Sequence, residues 1–288
     1  LNLEGDAVAG KPVTDIQFRN IIFQYGNVQL LPGNTNNAQG SSSIAAVINL
    51  KGAQRCIFDH CTVTNTGGFA FNLQEGSSYN IFSHNHITNI AAGGYRINGG
   101  KAGDHPLAQT HHNTISDNEI GNYGTVFPSA VAVLLMHSRN NDIVHNHIHH
   151  GYYTGVSAGW EWGHQKSISR DNIIAYNYIH HIGQGLLSDM GAVYTLGVSP
   201  GTKILNNLIH DVDSHNYGGW GIYNDEGSTH ILVENNIVYN TKFAGYNIHY
   251  AKEITVRNNI FALGRLQQIN RTRVEPHQSL YFVNNIVY

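Results

Sequence analysis

Charged side chains are scarce in this sequence, at 12% of 288 residues, about half the share usual in globular domains. The formal net charge is −3 and no basic cluster occurs, which argues against a nucleic acid as partner. No apolar run is long enough to cross a membrane. Cysteine occurs only twice, as Cys56 and Cys61. We expect two buried free thiols there rather than a disulfide.

The sequence does contain a short phrase that recurs at intervals of 23–33 residues. Each copy has an asparagine, an apolar residue three positions before it and another two positions after it. The repeated asparagines are Asn85, Asn118, Asn146, Asn177, Asn207, Asn236, Asn259 and Asn285. The apolar residues around them are mostly Ile and Val at near-alternating spacing, without the helical period. This pattern predicts an all-β fold, a right-handed single-stranded parallel β-helix of about ten coils. We expect residues 1–288 to form one domain, or a segment of a longer secreted protein.

Coils stacked about 4.8 Å apart would place each asparagine above the next one. Its amide can then satisfy backbone groups that a turn leaves unpaired. We therefore predict that the asparagine column is structural. Cys61 occupies the same position one coil before Asn85.

Histidine is abundant, with 19 residues, and part of that abundance is periodic. His149, His180 and His210 lie three residues after their asparagines, and His150, His181 and Asp211 lie four after. Such a column resembles a set of metal ligands. In other coils, however, the position four residues after the repeated asparagine is itself an asparagine, which favours a ladder of hydrogen-bonded turns. We expect no metal and no cofactor.

Carboxylates that could carry chemistry occur near the strands of three coils. Asp189 precedes the strand AVYTL, and Asp225 and Glu226 stand together before a Gly-Ser turn. Counting back from the asparagines aligns Glu226, His249 and Glu275 on one outer face. The same count aligns Asp225 with apolar Ile248 and would turn it inward unless the turn twists the strand. One carboxylate of the pair is therefore expected to face a groove.

Polar and aromatic side chains near these acids are candidates for binding a sugar, because flat rings stack on its C–H faces. Insertions at similar positions of their coils, including 160–167 and 224–228, predict a wall beside the groove. The aromatic candidates are Trp160, Trp162, Tyr194, Trp220, Tyr223 and Tyr250, and the histidine candidates are His164, His215, His249 and His277.

Five motifs occur in order along the chain and carry a family resemblance. They are YTGVSAGWEWG (153–163), LSDMGAVYTLGVSPGT (187–202), YGGWGIYNDEGS (217–228), NIHYAKEITVRNNIFA (247–262) and RTRVEPHQS (271–279). The chain thereby resembles β-helix proteins akin to glycoside hydrolase family 141, over roughly residues 10–288. It departs from that pattern at Ile248 and Ala251, which leaves the substrate open.

The resemblance implies a bacterial glycosidase, secreted or periplasmic, that acts on plant polysaccharides through fucoside or xylan-like linkages. It implies catalytic acids at Asp189 and at Asp225 or Glu226. The cleft residues that it implies are His249, Arg271, Arg273, Glu275 and His277.

We therefore predict a monomeric glycoside hydrolase whose partner is a carbohydrate, with a carboxylate pair flanking the bond that is cleaved. Acids on adjacent coils would favour the retaining geometry. One alternative is a polysaccharide lyase, in which Arg271 and Arg273 neutralise a uronate and His249 is the base. Another is a β-solenoid that binds glycans without catalysis.

Overall fold

The computed structural model describes residues 1–27 and 38–288 of the chain. Three parallel ten-stranded sheets run the length of the molecule, so each coil contributes one strand to each sheet. The predicted parallel β-helix of about ten coils is confirmed. The sequence also contains a polar insertion, PGNTNNAQGSSS (32–43), of which residues 32–37 lie outside the described residues.

The strands of each sheet follow one another in chain order, which is the topology of a solenoid. The first sheet contains β1 (Asn2–Glu4), β5 (Ala46–Lys51), β9 (Phe69–Leu73), β12 (Tyr95–Asn98), β15 (Val133–Met136), β18 (Val156–Gly159), β21 (Gly191–Leu196), β24 (Trp220–Asn224), β27 (Tyr246–His249) and β30 (Ile269–Thr272). The second sheet contains β3 (Gln17–Arg19), β7 (Ile57–Asp59), β10 (Ile81–Ser83), β13 (Thr114–Ser116), β16 (Asp142–Val144), β19 (Ile173–Ala175), β22 (Lys203–Leu205), β25 (Leu232–Glu234), β28 (Ile254–Arg257) and β31 (Leu280–Val283). The third sheet contains β4 (Ile22–Gln24), β8 (Thr62–Thr66), β11 (His86–Ile90), β14 (Glu119–Tyr123), β17 (His147–His149), β20 (Tyr178–Ile182), β23 (Leu208–Val212), β26 (Ile237–Thr241), β29 (Ile260–Ala262) and β32 (Ile286–Val287).

Two short strands and one short helix complete the described secondary structure. The strands β2 (Val13–Thr14) and β6 (Ala53–Gln54) pair with each other, and a 3₁₀ helix spans Pro106–Ala108. Within the described ranges, no helix has the length and apolar character that a membrane crossing requires.

The asparagine column forms the predicted ladder between the second and third sheets. The side-chain amide of Asn146 donates to Oδ1 of Asn177 at 3.0 Å and to the carbonyl oxygen of Ile115 at 2.9 Å. Oδ1 of Asn177 also accepts from the backbone N–H of Asn146. The same contacts recur from coil to coil, and the backbone N–H of Cys61 donates to Asn85 in the first of them. The buried amides therefore supply hydrogen-bond partners to the backbone groups that the turn leaves unpaired.

A second asparagine ladder, which the sequence analysis did not identify, lies five residues before the first. It begins at Asn80 and continues through Asn113 and Asn141 to Asn172, with side-chain contacts of 2.9–3.2 Å. Thr202 occupies the next position. These residues are buried at the turn between the first and second sheets.

Apolar side chains fill the inside of the coil in columns that follow the strand register. The rings of Phe18, Phe58 and Phe82 stack at centroid distances of 4.6 and 5.4 Å. Both cysteines are buried and free, as expected from the sequence.

The register of the first sheet differs by one residue from the register obtained by counting back from the asparagines. Asn224 pairs with Ile248, so Asn224 points inward and Asp225 points outward. The reason is a turn that is one residue longer. From Asn224 to Leu232 there are 8 steps, whereas their register partners Ile248 and Thr255 are 7 steps apart. The longer turn therefore directs Asp225 outward, where regular alternation alone would have turned it inward.

Candidate active site

A groove of about 510 Å³ lies on the outer face of the first sheet, near the C-terminal coils. Its walls come from the turns before β21 and β24 and from the ends of β24, β27 and β30. The lining residues are Asp189, Tyr217, Trp220, Tyr223, Asp225, Glu226, Phe243, His249, Asn270 and Thr272. The three carboxylates proposed from the sequence thus meet in one cavity, together with three of the predicted binding residues.

Asp189 reaches the groove because the chain bends just after it. Asp189 has a φ of 57° and its N–H donates to the carbonyl oxygen of Tyr217 at 3.0 Å. A β-carbon added at Gly191 would lie 3.0 Å from Cβ of Tyr223, so this glycine permits the close approach of the next coil. Asp189 lies 18 residues before Asn207, whereas Asp225 lies 11 before Asn236, and the bend makes up for this difference in spacing.

The environment of Asp189 favours its protonated form. Burial raises the pKa of the Asp189 carboxyl, and the negative charge of Asp225 raises the pKa further. The charge of His249 and hydrogen bonding from Tyr223 act in the opposite direction. A carboxyl group with a raised pKa in a groove has the property required of a general acid.

Asp225 is held by a buried tyrosine. The hydroxyl of Tyr194 donates to Oδ2 of Asp225 at 2.6 Å, a length typical of a charge-assisted hydrogen bond. Burial, followed by the charge of Asp225, raises the pKa of Tyr194 above its usual range, so the hydroxyl remains a donor. Tyr223 is also buried, and the rings of Tyr194 and Tyr223 meet edge to face at 5.1 Å. The two tyrosines therefore fix the orientation of this carboxylate.

Glu226 is engaged differently from Asp225. Its Oε2 lies 2.9 Å from Nη1 of Arg273, and the guanidinium of Arg273 lies 3.7 Å from the ring centre of Tyr250. Glu226 thus belongs to an ion pair stacked on an aromatic ring. This contact distinguishes the two adjacent acids, which the sequence could not separate.

A rim of predicted binding residues adjoins Glu226. His164 packs against Tyr250 at 5.0 Å and against His277 at 5.6 Å. Nε2 of His277 lies 3.0 Å from the carbonyl oxygen of Ala251, and Glu275 lies 3.8 Å from Arg273. These residues border the groove without lining it.

Four predicted binding residues lie away from the groove. Trp160 is buried and its Nε1 donates to Ser157, because the loop folds this ring into the core. Trp162 is 51% exposed, and its ring meets that of Trp160 edge to face at 5.8 Å. His215 is exposed, and its ring does not line the groove. Its backbone N–H donates to the carbonyl oxygen of Leu187.

Arg271 is the fourth of these residues. It pairs in register with inward-facing Ile248 and contacts Oγ of Ser279 at 3.3 Å. Its place in the register turns it away from the outer face. A binding role for Arg271 therefore finds no support in the groove geometry.

Four lining residues were missed by the sequence analysis. Asn270 and Thr272 are the register partners of Asn247 and His249, so a correct register would have identified them. Tyr217 lies in the YGGW segment within one of the family-like motifs. Phe243 packs on Trp220 at 5.8 Å, and no signal in the sequence distinguished it from the core.

The chain belongs to the right-handed β-helix family, because the sequence profile described as "Right handed beta helix region" matches residues 47–209. No curated protein sequence matches the chain.

Several solved structures share the fold. A protein described as "Glycoside hydrolase" is 20% identical, with a TM-score of 0.74 over 96% of this chain and 51% of its own. The periplasmic alginate epimerase AlgG is 14% identical, with a TM-score of 0.56 over 82% of this chain and 51% of its own. PfbA, a surface adhesin of Streptococcus pneumoniae, is 12% identical, with a TM-score of 0.61 over 95% of this chain and 70% of its own. This chain thus spans about half the length of the first two proteins.

Proposed function

We propose that the protein is a glycoside hydrolase in which Asp189 and Asp225 act as the carboxylate pair. The observation that carries this proposal is the convergence of both acids in one groove on adjacent coils, one with a raised pKa and the other held by a tyrosine. In paired carboxylates, different surroundings allow one group to act as the acid and the other as the nucleophile or base.

In this mechanism Asp189 carries the proton and delivers it to the glycosidic oxygen of the leaving group. Asp225, as the other carboxylate of the pair, either attacks the anomeric carbon or removes a proton from the attacking water. Tyr194 and Tyr223 orient Asp225, and Trp220 offers an aromatic wall for the sugar ring. Since the acids come from adjacent coils, we propose the retaining course.

A lyase acting on uronates is less compatible with this groove. Asp225 lines it as the carboxylate of the pair, and its charge would oppose a polymer of carboxylates. Arg273 is paired with Glu226, and Arg271 lies outside the groove. The charge balance therefore supports a neutral polysaccharide as the substrate.

We propose fucoside or xylan-like linkages of plant polysaccharides as the target, on the family resemblance of the five motifs. We also propose a monomeric protein that is secreted or periplasmic. The neighbour described as a glycoside hydrolase supports the reaction class, and the periplasmic location of the epimerase supports the compartment.

The experiment is a screen of aryl glycosides and plant polysaccharides with the unmodified protein, followed by variants on the best substrate. Asp189→Asn and Asp225→Asn should each reduce kcat/KM by about 10²–10⁴-fold, the range for general acid–base catalysis. Asp213→Asn is the matched control, because its carboxylate lies outside the groove and pairs with Arg265.

Release of reducing sugar that is lost in both groove variants and kept in the control supports the proposal. An unsaturated product from uronate polymers would instead identify a lyase. Glycan binding without turnover, unaffected by either groove variant, would identify a binding protein.

A further inference from the structure

The third sheet carries histidine side chains on its outer face, away from the groove of the first sheet. His147 and His149 belong to β17 and are two residues apart, so they project from the same face. Glu119 of β14 is the register partner of His147. One ligand atom from each of these three residues lies within 4.8 Å of the other two.

The separation of these atoms suits a small divalent ion. Nε2 of His149 lies 3.2 Å from Oε1 of Glu119. Metal–ligand bonds of about 2.0–2.1 Å in a tetrahedron require ligand atoms roughly 3.3 Å apart. The observed pair is therefore already close to the required spacing.

Glycine at position 121 makes room for one of the rings. Gly121 is the register partner of His149, and an added β-carbon would lie 2.4 Å from Cε1 of that ring. Because its φ lies outside the left-handed region, the backbone does not require glycine at this strand position. The absent side chain leaves a space that the imidazole of His149 fills.

Neighbouring groups orient the three side chains. Nδ1 of His86 lies 3.1 Å from Oε2 of Glu119, and Nδ1 of His150 lies 2.9 Å from Nδ1 of His149. The second contact leaves Nε2 of His149 directed at Glu119, as outer partners do for metal-bound histidines. Nε2 of His147 lies 2.8 Å from Nε2 of His180 on β20, so this ring too has an outer partner.

We propose that Glu119, His147 and His149 bind a divalent transition metal, with zinc the best match, and leave a fourth position for water. Two imidazoles and one carboxylate are a zinc donor set, whereas calcium and magnesium prefer oxygen alone. The ion would link adjacent coils β14 and β17. The sequence analysis expected a turn ladder without metal in this region, and this proposal replaces that expectation.

Two similar groups among the described residues are less suitable because their carboxylates have other partners. Asp59 is bound by Arg19 at 2.5 Å, and Asp211 accepts a hydrogen bond from Asn240. Neither Lys nor Arg contacts Glu119 within the described chain. The three-residue group on β14 and β17 is therefore the better match for a metal ion.

The test is titration of tag-free protein, stripped with a chelator, with cobalt(II) and then zinc. Cobalt should give the visible absorption of a low-coordinate site at one ion per chain, and zinc should displace it. His149→Ala should weaken binding at least tenfold. Gly121→Ala retains every ligand but pushes the ring of His149 aside, so it should weaken binding while the circular dichroism spectrum is unchanged.

His60→Ala removes an exposed histidine from another group and serves as the matched control. Unchanged binding in this control, with weakened binding in His149→Ala, supports the site. The proposal is overturned if micromolar cobalt gives no visible band, or if His149→Ala and Gly121→Ala bind as tightly as the unmodified protein. Because the readout is metal binding, its result is independent of any glycosidase activity.

Discussion

Replacement of Asn177 by alanine should destabilise the protein through loss of one complete ladder position. Its Nδ2 donates to Ile143 at 2.9 Å and to Asn207 at 3.0 Å, and its Oδ1 accepts from the backbone and side chain of Asn146, each at 3.0 Å. At about 1 kcal/mol for each of the four hydrogen bonds, the expected loss is about 4 kcal/mol.

The assay is urea unfolding followed by tryptophan fluorescence and circular dichroism, with the unmodified protein measured in parallel. Asn216→Ala is the control, because Asn216 is exposed at the surface, and it should change stability by less than about 0.5 kcal/mol. A loss below about 1 kcal/mol for Asn177→Ala would refute the inference that the buried amides hold the coils in register.

Three further predictions concern the groove and the packing of the coils. Tyr194→Phe removes the 2.6 Å hydrogen bond to Asp225 and should lower kcat/KM about tenfold with an unchanged melting temperature, measured by kinetics and calorimetry. His249→Ala removes a charge that lowers the pKa of Asp189, so the pKa of Asp189 should rise. Because the acid works when protonated, the alkaline limb of the kcat/KM profile should then move to higher pH. A shift to lower pH would contradict the assignment. Gly151→Ala would place a β-carbon 1.8 Å from Cζ of buried Tyr123. It should therefore lower the free energy of unfolding by about 1–3 kcal/mol, measured by urea unfolding. Stability equal to that of the unmodified protein would contradict this close contact between the coils.

The sequence was sufficient to predict the coil and its asparagine ladder, because the ladder repeats one residue type at one position of eight successive coils. The second ladder, through Asn113 and Asn141, escaped detection although it has the same chemistry. Its last position is a threonine, Thr202, so the repeat of one residue type is shorter than in the first ladder. A buried polar column is visible in a sequence only when each turn is aligned separately.

The sequence indicated which acids to consider for the candidate site but not how each side chain is directed, and their catalytic role stays a prediction. Asp189 and Asp225 were identified from their motifs, and both line the groove. The sequence left the direction of Asp225 open, because strand alternation reverses with every extra residue, and the turn after Asn224 is one residue longer. Trp160 was expected in the groove because tryptophan rings stack on sugar rings, but its large apolar ring is buried in the core instead.

The central claim, that Asp189 and Asp225 act together on one glycosidic bond, is tested most directly by kcat/KM of the two single asparagine variants and the double variant. Two residues that serve the same transition state have effects that do not add. The account predicts that the double variant is no slower than the more damaged single variant. Losses that multiply, or a single variant with the activity of the unmodified protein, would contradict it.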